Sequence, residues 1–427
     1  MGKLHDALLQ NDKKGIFAVE DRSLMGYATG FMPLDYQNGY LLSVTDKDHN
    51  VTNRWANTGL FGGQFVTVIG KSGVAKTSFC VQAGSHIIRP FEYGEYYHID
   101  AEGSSNLSRI RALNHFSTME MKEKYYMPPI DYVEDAFKHI YHLAEMKMQT
   151  KELFYNTGKF NEFGEEIRLP QPTVYLIDSL PSLQTKEVED SDELGTQTYN
   201  MRLAIAYNTF YKRLRPIIAK ANIIVMAINH IKDKPEMAFQ KTQAQIQYMK
   251  TNENIPGGTG PIYYSQNLFR FIYKGKYTFE KDGFEGFLVE VQFIKSKTNR
   301  GGSSVQLVYD YNTGFDPWLT MLHYANMACV VKGRNPYSYF ESAPDFKFNS
   351  KKFRDVIGDK ELRDAMLKDC APSLYQLLSS NQFDPEKEFS PQEIISRFNE
   401  AYQEEDVDFD TEVARDEKYR FITPLQG

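Results

Sequence analysis

The chain has little of what marks several protein classes. Only three cysteines, Cys80, Cys329 and Cys370, occur in 427 residues. They lie far apart and match neither a disulfide framework nor a metal-ligand spacing, so reduced thiols in a cytoplasmic protein are expected. No uninterrupted apolar run approaches the ~18 residues of a membrane-crossing helix, and no membrane partner is expected. The opening stretch, MGKLHDALLQNDKKG, lacks the apolar core of a secretory leader. Positive charge is not in excess. Lys and Arg number 49 against 56 Asp and Glu, a net charge of −7, which taken whole argues against a nucleic-acid partner. No internal repeat or low-complexity tract is visible. What the chain does have is apolar content: 41% of its residues, spread along its length, enough for one large core with smaller attachments.

The distribution of charge changes the first impression. Residues 398–417 hold nine carboxylates against Arg415 alone. That segment therefore carries −8, and the rest of the chain is left near neutral at +1. A solvated acidic tail is the plain reading. A tail that competes with DNA phosphates for a basic surface is the functional one.

Short apolar, β-branched runs at FVTVIG (65–70), VYLIDSL (174–180) and NIIVMAIN (222–229) predict buried strands of a parallel sheet. Helix-like stretches such as 203–221 lie between them, and the alternation predicts an α/β core. FLVEVQFIKSK (287–297) predicts a later antiparallel strand. TDKDHNVTNRWANTG (45–59) reads as a loop. Beyond residue 340 short helices are expected around 354–370 and 390–402. The organisation expected is an N-terminal arm over 1–25, sparse in apolar anchors (Leu8, Leu9, Ile16, Phe17). A core over 26–340, a helical region over 341–397 and an acidic tail over 398–427 follow it.

The first of these strands runs into Gly70, Lys71, Ser72, Gly73, Val74, Ala75, Lys76, Thr77 and Ser78, then into a helix-like segment. Strand, glycine-bearing loop and helix in this order form the context of a P-loop, in which backbone N–H groups surround phosphates. Lys76 is placed to reach the β- and γ-phosphates of ATP, and Thr77 to hold Mg²⁺. The position before the lysine, usually Gly, is Ala75. A glycine-containing turn is the plain alternative. Further strand ends carry Asp100 with Glu102, Asp178, and Asn229 with His230. Each alone is an ordinary strand-end residue. Together they fall on one edge of the sheet, where open α/β folds bind ligands.

TGFMPLD (29–35), the P-loop, and strands ending IDAE, IDS and INH follow the order of RecA-like DNA recombinases. EMAFQK (236–241), GGTGP (257–261), FIKSKT (293–298) and YANMACVVKG (324–333) resemble most the UvsX-type phage branch. The resemblance covers about residues 26–335. It implies a RecA-like P-loop ATPase core with a mainly parallel twisted sheet. It also implies DNA-dependent ATP hydrolysis, homologous pairing and strand exchange in recombination and repair. The protein would form a helical filament on single-stranded DNA, with double-stranded DNA, single-strand-binding and mediator proteins as further partners. The host cytoplasm or a phage replication compartment is its implied location.

Residue by residue, Glu102 is similar to the glutamate that activates the attacking water, and Asp178 to the Mg²⁺ residue. Asn229 and His230 correspond to the sensor of the γ-phosphate. Lys295 and Lys297 correspond to a pair that reaches the ATP of a neighbouring protomer. The branch tolerates a side chain at position 75, which implies a loop re-formed with φ < 0 there. Two loops are expected to face DNA. The first, about 185–199, is acidic at Glu187, Glu189, Asp190, Asp192 and Glu193 and is followed by Arg202. The second, about 231–264, offers Lys232, Lys234, Met237, Phe239, Lys241, Gly257 and Gly258. Lysines bind phosphates without regard to sequence, and apolar or aromatic side chains insert between bases or stack on them. A hexameric helicase on the same fold is a second reading. A weakly hydrolysing DNA-binding scaffold, suggested by Ala75, is a third.

Overall fold

A computed structural model describes residues 24–45, 50–161, 164–186, 197–233, 246–279, 284–378 and 390–402. The expected arm anchors Leu8, Leu9, Ile16 and Phe17 lie outside the described residues. So do the acidic residues 187, 189, 190, 192 and 193 of the first loop and the tail beyond Tyr402.

The fold is mixed α/β around one nine-stranded sheet. In chain order its strands are β1 (Phe65–Gly70), β2 (Glu95–Asp100), β3 (Tyr125–Tyr126), β4 (Thr173–Asp178), β5 (Ile223–His230), β6 (Asn267–Phe279), β7 (Phe284–Lys295), β8 (Ser304–Asp310) and β9 (Gly314–Phe315). Their spatial order is β9-β8-β7-β6-β1-β5-β4-β2-β3. From β6 to β3 every junction is parallel. From β6 to β9 every junction is antiparallel. The apolar runs at 65–70 and 173–178 are buried along their whole length. That is what covering a parallel sheet on both faces demands.

The helices used below are α1 (Met32–Gln37), α2 (Lys76–Ile88), α3 (Val133–Gln149), α4 (Gln197–Ala221), α5 (Gly260–Tyr264), α6 (Pro317–Met327), α7 (Lys360–Tyr375) and α8 (Pro391–Tyr402). One face of the sheet packs with α2 in a cluster containing Phe79, Tyr96, Phe269 and Phe293. The other packs with α3 and α4 through Ile140, Tyr207, Tyr211 and Leu214.

One sequence expectation changes. Residues 51–57, expected within a loop, form a strand paired antiparallel with Tyr40–Thr45. Its outer half is exposed, but Trp55 is buried in a small cluster with Leu42, Val44 and Ile167. A strand with one buried end among polar residues shows too little apolar content to be read from sequence. The division at 340 falls in the turn of a hairpin joining Ser338–Phe340 to Ala343–Phe348. Residues on both sides share one cluster that runs from Met32 and Trp318 to Leu374 and Phe398. The division at 397 falls inside α8, whose Phe398 is buried against Trp318.

Candidate functional site

The strands bring their carboxyl ends to one level. Gly70 is in register with His230 and with Phe271, and Asp178 with Asp100. The loop after β1 then turns into α2. Lys71, Ser72 and Gly73 are exposed, while Val74 and Lys76 are buried. Gly73 has φ 76°, and a Cβ added there would meet nothing within 4 Å. Lys76 donates from Nζ to the carbonyls of Gly70 (3.2 Å) and Lys71 (2.8 Å), which folds its ammonium back under the loop. Burial lowers its pKa, opposed by the negative charges of Asp178 and Glu102.

Ala75 stands in the left-handed region, with φ 60° and ψ 31°, and corrects the expectation of φ < 0. The chain takes two left-handed steps, at Gly73 and at residue 75, before α2 can start with its N–H groups facing the loop. That demand sets the backbone whatever the side chain. A left-handed Ala costs roughly 1–2 kcal/mol. Packing of its methyl against the core cluster around α2 offsets part of this, at about 0.8 kcal/mol per buried carbon. If the loop holds a nucleotide, Ala75→Gly is therefore expected to tighten its binding by up to about fivefold. Isothermal titration would check it; weaker binding would show that the left-handed step is not required.

Across the loop, Thr77 donates its hydroxyl to Asp178 Oδ2 at 2.6 Å. Burial raises the Asp178 pKa to about 6; the Thr77 hydrogen bond works downward, and Glu102 and Asp100 push it further up. Hydroxyl and carboxylate oxygens suit Mg²⁺, which takes one or two protein ligands and fills its shell with water and phosphate oxygens. Among the described residues no group of three or more His, Cys, Asp or Glu has the arrangement of an all-protein metal site. A cation here would thus rely on phosphate oxygens, in keeping with the open space over Gly73.

Glu102 projects from the turn after β2 and is pinned from two sides. Its N–H donates to the Asp178 carbonyl (3.2 Å). His230 Nε2 lies 3.0 Å from its Oε1, with both side chains about one-third exposed. Burial tends to raise the Glu102 pKa. Hydrogen bonds from Ser179 and His230 and the charges of His230 and Lys76 outweigh it, and the net shift is downward. The carboxylate is held ionised and oriented at the mouth of the loop. Asp100, by contrast, accepts the N–H groups of Ser104 (3.2 Å) and Ser105 (2.8 Å) and serves the turn.

Asn229 is fully buried and uses both ends of its amide. Oδ1 accepts the His230 N–H at 2.7 Å, and Nδ2 donates to the Pro256 carbonyl at 2.9 Å. It thereby ties the strand end beside Glu102 to the segment that enters Gly257 and Gly258.

That segment is more structured than its sequence suggests. Lys232–Asp233 pairs antiparallel with Glu253–Asn254, Glu253 forms an ion pair with Arg270, and Met249, Ile255 and Ile262 are buried. Lys234, Met237, Phe239 and Lys241 lie outside the described residues. Lys232 is exposed and Arg202 half-buried on α4. Gly257 and Gly258 have φ 93° and 73°, and a Cβ on either would press on Tyr207 or Ala204 of α4, at 2.7 and 2.9 Å. Close packing against α4 accounts for both glycines.

Lys295 and Lys297 do not join the cluster at the loop. Lys295 is in register with Leu268, and Leu268 with Thr67, which places it toward the amino edge of the sheet. That is three residues, roughly 10 Å along a strand, from the Gly70 level. Its Nζ donates to the carbonyls of Ile262 and Tyr263, both at 2.8 Å.

Two residues unremarked in the sequence flank the site. Ser78, in the first turn of α2, lies 3.3 Å from the Tyr309 hydroxyl. Arg109 donates to that hydroxyl (2.9 Å) and to the Asn312 carbonyl (2.6 Å), which sets a planar cation beside the loop. Nothing in the spacing of Arg109 and Tyr309, 200 residues apart, signals the pairing.

The fold and the cluster define a mixed α/β protein with a loop-and-carboxylate site at the carboxyl edge of its sheet. No family model matches the chain. It is similar to the "Recombination and repair protein" of Enterobacteria phage T4, 29% identical over 175 residues. The match spans 40% of this chain and 40% of that protein's length.

Proposed function

We propose that the chain is an ATP-dependent DNA recombinase with a RecA-like P-loop core. In this reading it assembles as a helical filament on single-stranded DNA and exchanges strands with homologous duplex. The observation that carries the reading is the convergence of Lys76, Thr77, Asp178, Glu102 and His230 on one edge, with Asn229 joining that edge to the 253–264 segment. The similarity to the T4 protein supports a role in DNA recombination or repair.

Lys76 and the N–H groups at the start of α2 orient the phosphates. Thr77 and Asp178 would hold Mg²⁺, whose charge neutralises the phosphate oxygens. Glu102, ionised and held by His230, accepts the proton of the attacking water. Arg109 and Tyr309, beside the loop through Ser78, would offer the base of such a nucleotide a planar surface. Asn229 passes the position of His230 to the Gly257–Gly258 turn and so to α4, the helix that carries Arg202. Strand exchange between homologous DNAs, with ATP and Mg²⁺, tests the proposal.

A further inference from the structure

Two side chains hold the Glu102 carboxylate, and each has its own support. His230 Nε2 lies 3.0 Å from Oε1, and its strand end is tied through Asn229 to the Pro256 carbonyl. Ser179, fully buried just after β4, is the other donor. Burial raises the Glu102 pKa. Of the groups that pull it down, the Ser179 hydrogen bond acts most strongly, ahead of the hydrogen bond and charge of His230 and the charge of Lys76.

The turn Leu180–Ser182 closes back on Ser179. The Ser182 N–H donates to the Ser179 carbonyl at 3.0 Å, and the two serine hydroxyls lie 2.9 Å apart. A hydroxyl has one hydrogen to give. With that of Ser179 committed to Glu102, the Ser182 hydroxyl is the donor of the pair, and each donor in such a row polarises the next. The turn rests on Tyr207 of α4, which is fully buried. The Tyr207 hydroxyl donates to the carbonyls of Leu180 (2.5 Å) and Leu183 (3.1 Å), which flank Ser182.

Leu180, Leu183 and Tyr207 share one apolar cluster. Phenylalanine would satisfy that packing, so the use of the tyrosine hydroxyl is to hold the two carbonyls. The ring itself is fixed by Gly257, where an added Cβ would come within 2.7 Å of the Tyr207 Cδ2. Gly257 follows Pro256, so both supports of Glu102 end on the same packed unit.

We propose that Tyr207 is a positioning residue for Glu102: it holds the 180–183 turn and, through Ser182 and Ser179, keeps the carboxylate in the orientation that receives a proton from water. The inference rests on the function proposed above, which makes Glu102 the proton acceptor. Buried as it is, Tyr207 acts only through the two serines.

Tyr207→Phe and Ser179→Ala test this in the full chain, with single-stranded DNA, ATP and Mg²⁺. Tyr207→Phe keeps the ring against Gly257 and removes one hydroxyl. Both variants are expected to lower kcat by about threefold to tenfold, the worth of one hydrogen bond, with KM for ATP unchanged. The acid side of the kcat profile should move to higher pH in both. A donor to the carboxylate holds its pKa down; without that donor, protonation sets in at higher pH and removes the proton acceptor. His230 of β5, Lys76 of α2 and Asp178 of β4 are the other titratable groups facing Glu102. All three are intact in both variants, so a displacement from the wild-type profile belongs to Glu102.

The double variant should fall no further than Ser179→Ala alone, because Tyr207 works through Ser179; independent effects would multiply. If Ser179→Ala does not fold, Ser182→Ala takes its place in the same comparison. A lowered melting temperature in Tyr207→Phe, with wild-type kcat and an unmoved acid side, makes Tyr207 a purely structural residue and overturns the proposal. Losses that multiply in the double variant overturn it as well. Absence of hydrolysis in the wild type would instead sink the functional proposal, and this inference with it. Hydrolysis by the wild type with an unmoved profile in Tyr207→Phe would sink this inference alone.

Discussion

Glu102→Gln is expected to slow ATP hydrolysis by about a hundredfold to ten-thousandfold, the range a positioned general base contributes, while ATP still binds. Glutamine keeps the size of the side chain and an oxygen within reach of His230 Nε2, which lies 3.0 Å from Glu102 Oε1. The carboxylate as proton acceptor is lost. Loss of its negative charge also removes a group that raises the pKa of Asp178 and opposes the lowering of Lys76. Nucleotide affinity should therefore shift little beside the loss in rate. Single-turnover hydrolysis and equilibrium binding measured on the same preparation separate the two quantities. Turnover equal to wild type would remove Glu102 from the role given to it here.

Asn229→Ala is expected to uncouple hydrolysis from DNA. The buried amide is the link between His230 and Pro256. Its removal takes a hydrogen-bond partner from the His230 N–H and another from the Pro256 carbonyl, each bond worth about 0.5–1.5 kcal/mol. The 253–264 segment is then no longer held in register with the strand end. A coupling change of 1.4 kcal/mol is tenfold, so stimulation of hydrolysis by single-stranded DNA should fall at least about tenfold. Hydrolysis without DNA should fall far less, because Lys76, Thr77, Asp178 and Glu102 are untouched. A lowered melting temperature with full stimulation would make Asn229 a purely structural residue.

The candidate edge was legible in the sequence because its physics is local. A parallel strand buried on both faces needs an unbroken apolar run, and three such runs mark β1, β4 and β5, each ending at a residue of the site. The left-handed backbone at Ala75 was not legible, because the turn geometry sets φ there and the residue type signals the opposite. The sequence places Gly257 and Gly258 in a loop expected to face DNA. The reason for them is the proximity of Tyr207 and Ala204, some fifty residues earlier in the chain, and only the fold brings these together. Lys295 and Lys297, two residues apart, read as equivalent. The strand ends at Lys295, whose ammonium meets the carbonyls of α5, and Lys297 lies exposed in the turn beyond it.

The most direct measurement of the central claim is strand exchange by the purified full chain. Single-stranded circles, homologous linear duplex, ATP and Mg²⁺ are combined, and joint molecules are followed against time, with Lys76→Ala as the comparison. The account predicts joint molecules that require homology and ATP with the wild type, and none with Lys76→Ala. Joint molecules formed equally well without ATP, or ATP-driven unwinding of duplex with no exchange, would contradict it.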